Sequence, residues 1–428
     1  MLADADVEHL ITAPTYRNRD LAAVVKGATG AVPGAALMSP ELPVLRRVWV
    51  GLEALEAAGA GQEARVAAAE AQVTPADELV VVHTSGSTSK PKAIALAHYL
   101  VIENGFNIGE RQGLGPTDRV LLSPPLFWTY GAVNALPAAL THGATLVMQP
   151  RFKAGSALNL IEREKCTAIY TLPAMTNALV AHPAFDRRRT ASLRTGVTIG
   201  APQDVIKAAE QLGASEICNI YGATENYGNC CVTPHDWPLD KRAACQGIPL
   251  PGVQLRIRDP ATGREAQLCQ VGEIEVKGYL TRGYLGDSAQ FNASVFTSDG
   301  FFRTGDLGSL QQDGTVCYAG RSSEIIKRSG INVSPAEVEE ILQQHPCVAL
   351  AGVTGLADPA RGELIVAFLT AKPGSSIDAS AILEHCRRYL SRYKVPDRVH
   401  ACETLPLTST GKLMRRELKV MAEKATAT

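Results

Sequence analysis

Residues 84 to 94 read Thr-Ser-Gly-Ser-Thr-Ser-Lys-Pro-Lys-Ala-Ile, a run of hydroxyls around one glycine with two lysines close behind. Hydroxyls and backbone N–H groups on such a loop can turn inward on oxyanions. Gly86 lets the backbone come close, and Lys90 or Lys92 adds positive charge, so the loop suits the holding of phosphate groups. It follows an apolar run, Leu79 to Val82, that reads as a strand. The spacing is not the Gly-x-x-x-x-Gly-Lys-Ser/Thr of a P-loop, and a solvated Ser/Thr turn explains the stretch equally well on its own.

Four more segments follow in order: Tyr221-Gly-Ala-Thr-Glu225, Thr304-Gly-Asp306, Gly320-Arg-Ser-Ser-Glu-Ile-Ile-Lys327 and Ser409-Thr-Gly-Lys412. Together with the first they resemble the adenylate-forming superfamily of acyl-CoA synthetases, aryl-CoA ligases, luciferases and peptide-synthetase adenylation domains. The resemblance runs from about Pro75 to Leu418, and ordered motifs at plausible spacing carry far more weight than any of them alone.

The reaction implied is attack of a carboxylate on the α-phosphorus of ATP, giving an acyl-adenylate and pyrophosphate, then capture of the acyl group by the thiol of CoA. Such chemistry needs positioning and charge stabilisation more than a protein nucleophile. By the resemblance, Thr84, Ser85, Gly86, Ser87, Thr88 and Lys92 would hold the β- and γ-phosphates. Thr224 would contact the α-phosphate, and Glu225 would hold Mg²⁺, a hard cation suited to oxygen ligands. Tyr221, continuing into Gly222, would stack on adenine, with Gly200, Ala201 and Pro202 lining its other side. Asp306 would take the ribose hydroxyls with two acceptor oxygens, and Arg321 would reach the same sugar. Lys412 would bridge the acyl carboxylate and the α-phosphate, while Lys327 and the Gly330 backbone would belong to the thioester-forming arrangement. Ser323 stands at the hinge position, where the superfamily usually has aspartate or lysine. Ser89 and Ala93 stand where it usually has glycine, substitutions that stiffen the loop.

The acid pocket is expected around Val197 to Ile199 and around Leu126-Phe-Trp-Thr-Tyr-Gly131. No carboxylate is offered there to a substrate ammonium, which disfavours amino acids. Trp128 lies where many CoA ligases carry histidine, as a wall or gate to the thiol channel, and Tyr130, Gly131 and Gly228 complete a pocket for a fatty, alicyclic or aryl acid. Two other readings stand beside the CoA ligase: a stand-alone enzyme that loads a carrier protein's phosphopantetheine arm, and a non-catalytic nucleotide-binding relative. The retained charges at Lys92, Glu225, Asp306, Arg321 and Lys412 argue against the last.

These residues need a scaffold, and 428 residues with 46% hydrophobic and 20% charged content supply a large core and more than one domain. Apolar runs at 119–122, 144–149, 168–172, 192–199 and 216–220 alternate with helical stretches, which predicts βαβ units in a doubly wound, mainly parallel sheet. The phosphate loop and the Tyr221 segment each follow a strand, so both are expected at one crevice beyond the strand ends. Shorter strands between Val253 and Val276 predict a small β-subdomain. Around Gly320 a new module begins, with a helix over 335–342 capped by Ser334, strands at 348–353 and 365–369, and a helix over 379–390. The expected division is α/β, with a large ATP- and acid-binding domain over 1–321 and a smaller mobile α+β domain over 322–428. The stretch before Leu79 is shorter than such chains usually carry.

A net charge of −1 and a pI near 6.8 give no electrostatic case for nucleic acid. No apolar run is long enough for a membrane span, and the N-terminus is acidic where a signal peptide would be basic, so the cytoplasm is expected. Ten cysteines without a Cys-x-x-Cys pair fit structural thiols in a reducing compartment, and packing accounts better than metal binding for Cys230 and Cys231 beside His235. The oligomeric state is left open, a homodimer being compatible with it.

Overall fold

The computed structural model describes residues 5–16, 18–30, 42–84, 92–286, 288–329, 331–407 and 413–425. The chain divides into two compact units, one of Met1–Glu103 with Thr281–Ser294 and one of Asn104–Leu280 with Val295–Thr428.

In the first unit His9–Thr12 pairs in parallel with Arg47–Val50. The strand expected before the phosphate loop is Glu78–Thr84, and it pairs antiparallel with Lys92–Ala97, Thr84 opposite Lys92. The strand before residues 85–91 is therefore paired antiparallel with the strand after them and is not a member of a parallel sheet. Ile94 and Leu96 are fully buried. The distant segment Thr281–Ser294 closes over this strand through a bridge between Tyr284 and Ile94, and Thr281 Oγ1 donates to the Ala95 carbonyl at 2.9 Å.

The second unit holds the predicted parallel sheet. Arg119–Leu122, Thr145–Met148, Ala168–Tyr170, Thr195–Thr198 and Cys218–Tyr221 are parallel, and Cys231–Val232 and Ile248–Pro249 extend the edge antiparallel to make seven strands. Strands buried on both faces read as continuous apolar runs, and here the alternation splits between two cores. Val120, Leu122 and Tyr170 join Ile108, Ala138 and Ala139 on one face. Leu121 and Ile169 join Leu158, Ile161, Leu179 and Val205 on the other.

A four-stranded antiparallel sheet follows, Gln254–Arg258, Gly272–Lys277, Phe302–Leu310 and Val316–Arg321 in that order, as the shorter strands predicted. The sheet changes after Arg321. The C-terminal module is a sheet of Ile331–Val333, Ile326–Arg328, Gly362–Ala371 and Val348–Asp358, with Arg398–Ala401 parallel to Gly362–Ala371. Helices Pro335–Gln344 and Ala379–Tyr389 bury Val338, Leu342, Ile382 and Cys386 against it. Ser334 does precede the first of these helices, but its hydroxyl makes no capping bond. It donates instead to the Ala319 carbonyl at 2.6 Å, across the change of sheet. Among the described residues, no helix is long and apolar enough to cross a membrane.

Candidate functional site

The clearest convergence of predicted residues lies in the second unit, where the seven-stranded sheet meets the four-stranded one. Tyr221 ends its parallel strand with 6% of its surface exposed, and its hydroxyl donates to Asp306 Oδ2 at 3.0 Å. Its ring leans on Tyr318 at 5.9 Å. Asp306 sits on Phe302–Leu310 directly opposite Arg321 on the neighbouring strand. Gly305, at φ 70°, supplies the left-handed kink just before it, a conformation that favours glycine. Asp306 Oδ1 lies 3.2 Å from Arg321 Nε yet is not aligned for a hydrogen bond, so this buried oxygen has no hydrogen-bond donor among the described residues. Burial pushes the Asp306 carboxyl above its ordinary value, Arg321 and Tyr221 pull it back, and Glu225 and Glu324 add to the upward push. The arrangement is a carboxylate with one oxygen committed to a phenol and the other still able to accept.

Beyond Tyr221 the chain turns sharply. Ala223 N donates to Asn226 Oδ1 at 2.7 Å and Gly228 N to the Ala223 carbonyl at 2.8 Å. Gly222 is dictated by this turn, because a Cβ there would come within 2.2 Å of the Gly228 carbonyl oxygen. Thr224 and Glu225 occupy the 3₁₀ turn Thr224–Asn226, both half-buried. Gly228, at φ 88°, lies under Asn134, whose Oδ1 would be 2.3 Å from an added Cβ.

The segment Gly200-Ala-Pro202 follows Thr195–Thr198, as expected. Ala201 N donates to Asp204 Oδ2 at 3.1 Å, and Pro202 opens helix Pro202–Lys207. Of the residues expected at the acid pocket, Tyr130 is buried and its hydroxyl lies 2.9 Å from both the Thr171 and Val197 carbonyl oxygens. It thus clasps two parallel strands at their carboxyl ends. Gly131 is held close under Pro125, whose carbonyl oxygen would be 2.5 Å from an added Cβ. Trp128 is half-buried and meets Phe127 edge-on at 5.9 Å.

In the C-terminal module Lys327 has an exposed side chain, and its backbone N–H donates to Glu363 Oε2 at 2.6 Å. Ser323 is exposed on the turn Ser322–Glu324. Lys412, Gly330, Ser85, Gly86, Ser87 and Thr88 fall outside the described residues. In the first unit Thr84 and Lys92 face each other across the last described rung of the hairpin.

Several residues here were not singled out from the sequence. Tyr318 backs the Tyr221–Asp306 pair. Arg415 ties Glu324 at 3.2 Å to the buried Glu339. Asn134 Oδ1 is buried without a hydrogen-bond partner among the described residues, as is Oγ1 of Thr198, which lies in the stretch Val197 to Ile199 that was expected at the acid pocket. Arg415, three positions after Lys412, was the one within reach of motif reading. The others depend on pairings that sequence spacing does not display. No group of three or more acids, histidines or cysteines among the described residues could hold a metal ion alone.

Both the sequence and the fold match known proteins. The AMP-binding enzyme family model matches residues 1–285, and the AMP-binding enzyme C-terminal domain model matches 337–412. The putative acyl-CoA synthetase YngI of Bacillus subtilis is 33% identical over 341 residues, covering 79% of this chain, and the chain spans only 62% of that relative's length. The indoleacetate–CoA ligase of Aromatoleum aromaticum is 32% identical over 383 residues, which is 88% of this chain and 73% of the relative. Among solved structures, ATP-bound MatB from Rhodopseudomonas palustris superposes with a TM-score of 0.82 at 25% identity, over 99% of this chain and 81% of that one.

Proposed function

We propose that this chain, which belongs to the AMP-binding enzyme family, converts an apolar carboxylic acid to its acyl-adenylate at the expense of ATP and passes the acyl group to CoA. The observation that carries this reading is Asp306: a buried carboxylate with one oxygen unclaimed, set beside Arg321 and fixed by Tyr221. A vicinal diol such as that of ribose offers the hydrogen-bond donors this oxygen lacks, and a buried acceptor left unsatisfied costs more than one that is met. Relatives named for acyl and indoleacetate substrates support an apolar or aryl acid.

Glu225 would hold Mg²⁺. A single half-buried carboxylate cannot cage a cation, but it suits one that arrives already bound to nucleotide phosphates and needs one or two protein oxygens. Bound there, the ion would offset the negative charge of the phosphates. Tyr221 and the Gly200–Pro202 turn would flank the adenine, and Thr224 would reach the α-phosphate. Trp128 would form the wall between acid and thiol, Lys412 would stabilise charge during adenylation, and Lys327 would serve thioester formation. Ser323 would be the pivot between these two tasks, and 1–321 and 322–428 the parts that move.

The test is ATP–pyrophosphate exchange with Mg²⁺ over a panel of fatty, alicyclic, aromatic and amino acids. Exchange is expected with one of the apolar classes and not with amino acids; none in folded protein across the panel overturns the reading. Lys412→Ala is expected to slow exchange by about 10²- to 10³-fold, the size of one charge-stabilising contact, while leaving thioester formation from supplied adenylate. Equal loss of both half-reactions removes that role.

A further inference from the structure

We propose that Asn134 is a positioning residue for Glu225: together with Asn104 it fixes the Tyr227 carbonyl by side-chain amides, and with it the backbone turn that carries Glu225. The proposal rests on the reading above, since it takes Glu225 as the ligand of a cation that arrives on nucleotide phosphates.

The geometry lies wholly within the second unit. The 3₁₀ turn Thr224–Asn226 closes on Tyr227, which is buried with φ 62° and ψ 29°. That left-handed conformation is one that a bulky residue keeps only where its surroundings impose it. Two amides converge on its carbonyl. Asn134 Nδ2 donates to the Tyr227 oxygen at 2.8 Å, and Asn104 Nδ2 donates to the same atom at 3.0 Å. Asn104 Nδ2 also lies 3.1 Å from the Asn229 carbonyl oxygen, so one amide spans both sides of Gly228. At the other end of the turn Asn226 Oδ1 takes the Ala223 N–H. Glu225 therefore sits between a capped start and a clamped end.

Both clamping residues are fully buried, and neither Asn104 Oδ1 nor Asn134 Oδ1 has a hydrogen-bond partner among the described residues. An unmet buried acceptor lowers stability, so stability alone gives little reason for an amide at either position. What the amides supply is a pair of donors to one strained residue, two positions after Glu225. Asn134 belongs to the π-helical stretch Tyr130–Ala135, an irregularity met most often at functional sites. Without the Asn134 donor the left-handed residue is less firmly imposed, and the turn before it is free to relax. A merely structural amide would act on the whole fold instead, and alike with or without the ion.

The experiment compares wild type, Asn134→Ala, Glu225→Gln and the double variant. Amide hydrogen exchange of the peptide over 221–230 is followed in nucleotide-free protein, and ATP affinity is measured by calorimetry with Mg²⁺ and with a chelator. Asn134→Ala is expected to exchange faster in that peptide. It is also expected to lose roughly 2- to 10-fold in ATP affinity with Mg²⁺, the range of one hydrogen bond, and to match wild type under the chelator. In the Glu225→Gln background the same substitution should change affinity by less than about 2-fold, because a residue that acts through Glu225 then has nothing to position. Should Asn134→Ala fail to fold, Asn134→Leu, which keeps the volume without the amide, serves in its place. Unchanged exchange in the peptide, equal losses with and without Mg²⁺, or losses that simply add in the double variant overturn the positioning role. No Mg²⁺ gain in wild type, or a full one in Glu225→Gln, overturns Glu225 as the ion's ligand and the positioning role with it, and leaves acid activation to be judged by pyrophosphate exchange.

Discussion

Two buried carboxylates of the second unit each meet an arginine, and they are completed differently. Glu339 accepts the Val353 N–H at 2.7 Å on Oε1 and Arg415 Nη2 at 2.8 Å on Oε2, with Arg415 Nη1 also on Oε1. Asp306 accepts from Tyr221 on one oxygen, and on the other it has Arg321 nearby without a hydrogen bond. Burial is the leading upward push on both acids, and arginine is the leading counterweight for both, by hydrogen bonding at Glu339 and by charge at Asp306. Burial and charge pairing therefore do not separate Glu339 from Asp306, the acid proposed to take the ribose. Acceptor capacity left open does, because a native fold rarely leaves it so without a use.

The comparison breaks most visibly at Glu339. Arg415→Ala strands a buried carboxylate and is expected to cost about 3–5 kcal/mol in urea unfolding, with much of it recovered when Glu339 is changed to Gln in the same chain. A loss under about 1 kcal/mol, within the range of an exposed pair, would show that the Glu339 network is no better built than a surface contact.

Asp306→Asn should behave in the opposite sense. Shape is kept and the Tyr221 hydroxyl retains an acceptor, so unfolding is expected to shift by less than about 1 kcal/mol, whereas pyrophosphate exchange falls by about 10- to 150-fold, the value of hydrogen bonds to a charged group. Destabilisation as large as that of Arg415→Ala, with exchange retained, would make Asp306 another structural acid.

The smallest effect is in pH. Both acids have folded values raised above their unfolded ones near 3.8 and 4.5. Between those limits the folded chain holds a proton that the unfolded chain has released. Stability of wild type relative to Asp306→Asn should thus rise as pH falls through the folded value, and it is fully gained below the unfolded one. Denaturation of both proteins at stepped pH measures it, and a profile that is flat or reversed contradicts the burial of this carboxyl.

The strands of the parallel sheet were legible because burial on both faces leaves runs such as Val120-Leu-Leu122 with no polar interruption. Helix Pro335–Gln344 was legible from its proline start and periodic apolar face. The hairpin around the phosphate loop was not, since a strand carries no mark of its partner's direction and the loop between the strands contains no two-residue turn signal. The opposition of Asp306 and Arg321 was anticipated only as two contacts to one sugar, and their register on adjacent strands is a long-range fact. Ser334 shows the same limit at one residue: its position before the helix was right, but its hydroxyl donates to the Ala319 carbonyl and accepts no N–H of the helix, so it does not cap it.

The return of Thr281–Ser294 to the first unit has a consequence for how the chain is made. The bond from Thr281 to Ala95 spans 186 positions. On a ribosome, the strand Lys92–Ala97 must wait for the whole seven-stranded sheet, whose last strand ends at Pro249, to be synthesised before its closing segment emerges. Contacts that distant are slow to form, and an uncovered hairpin edge in the interval invites pairing with another chain. The first unit is therefore expected to close only after the seven-stranded sheet has been translated, although its hairpin is translated earlier, and a nascent chain stalled before residue 281 would carry an open edge for a chaperone or a neighbour to shield.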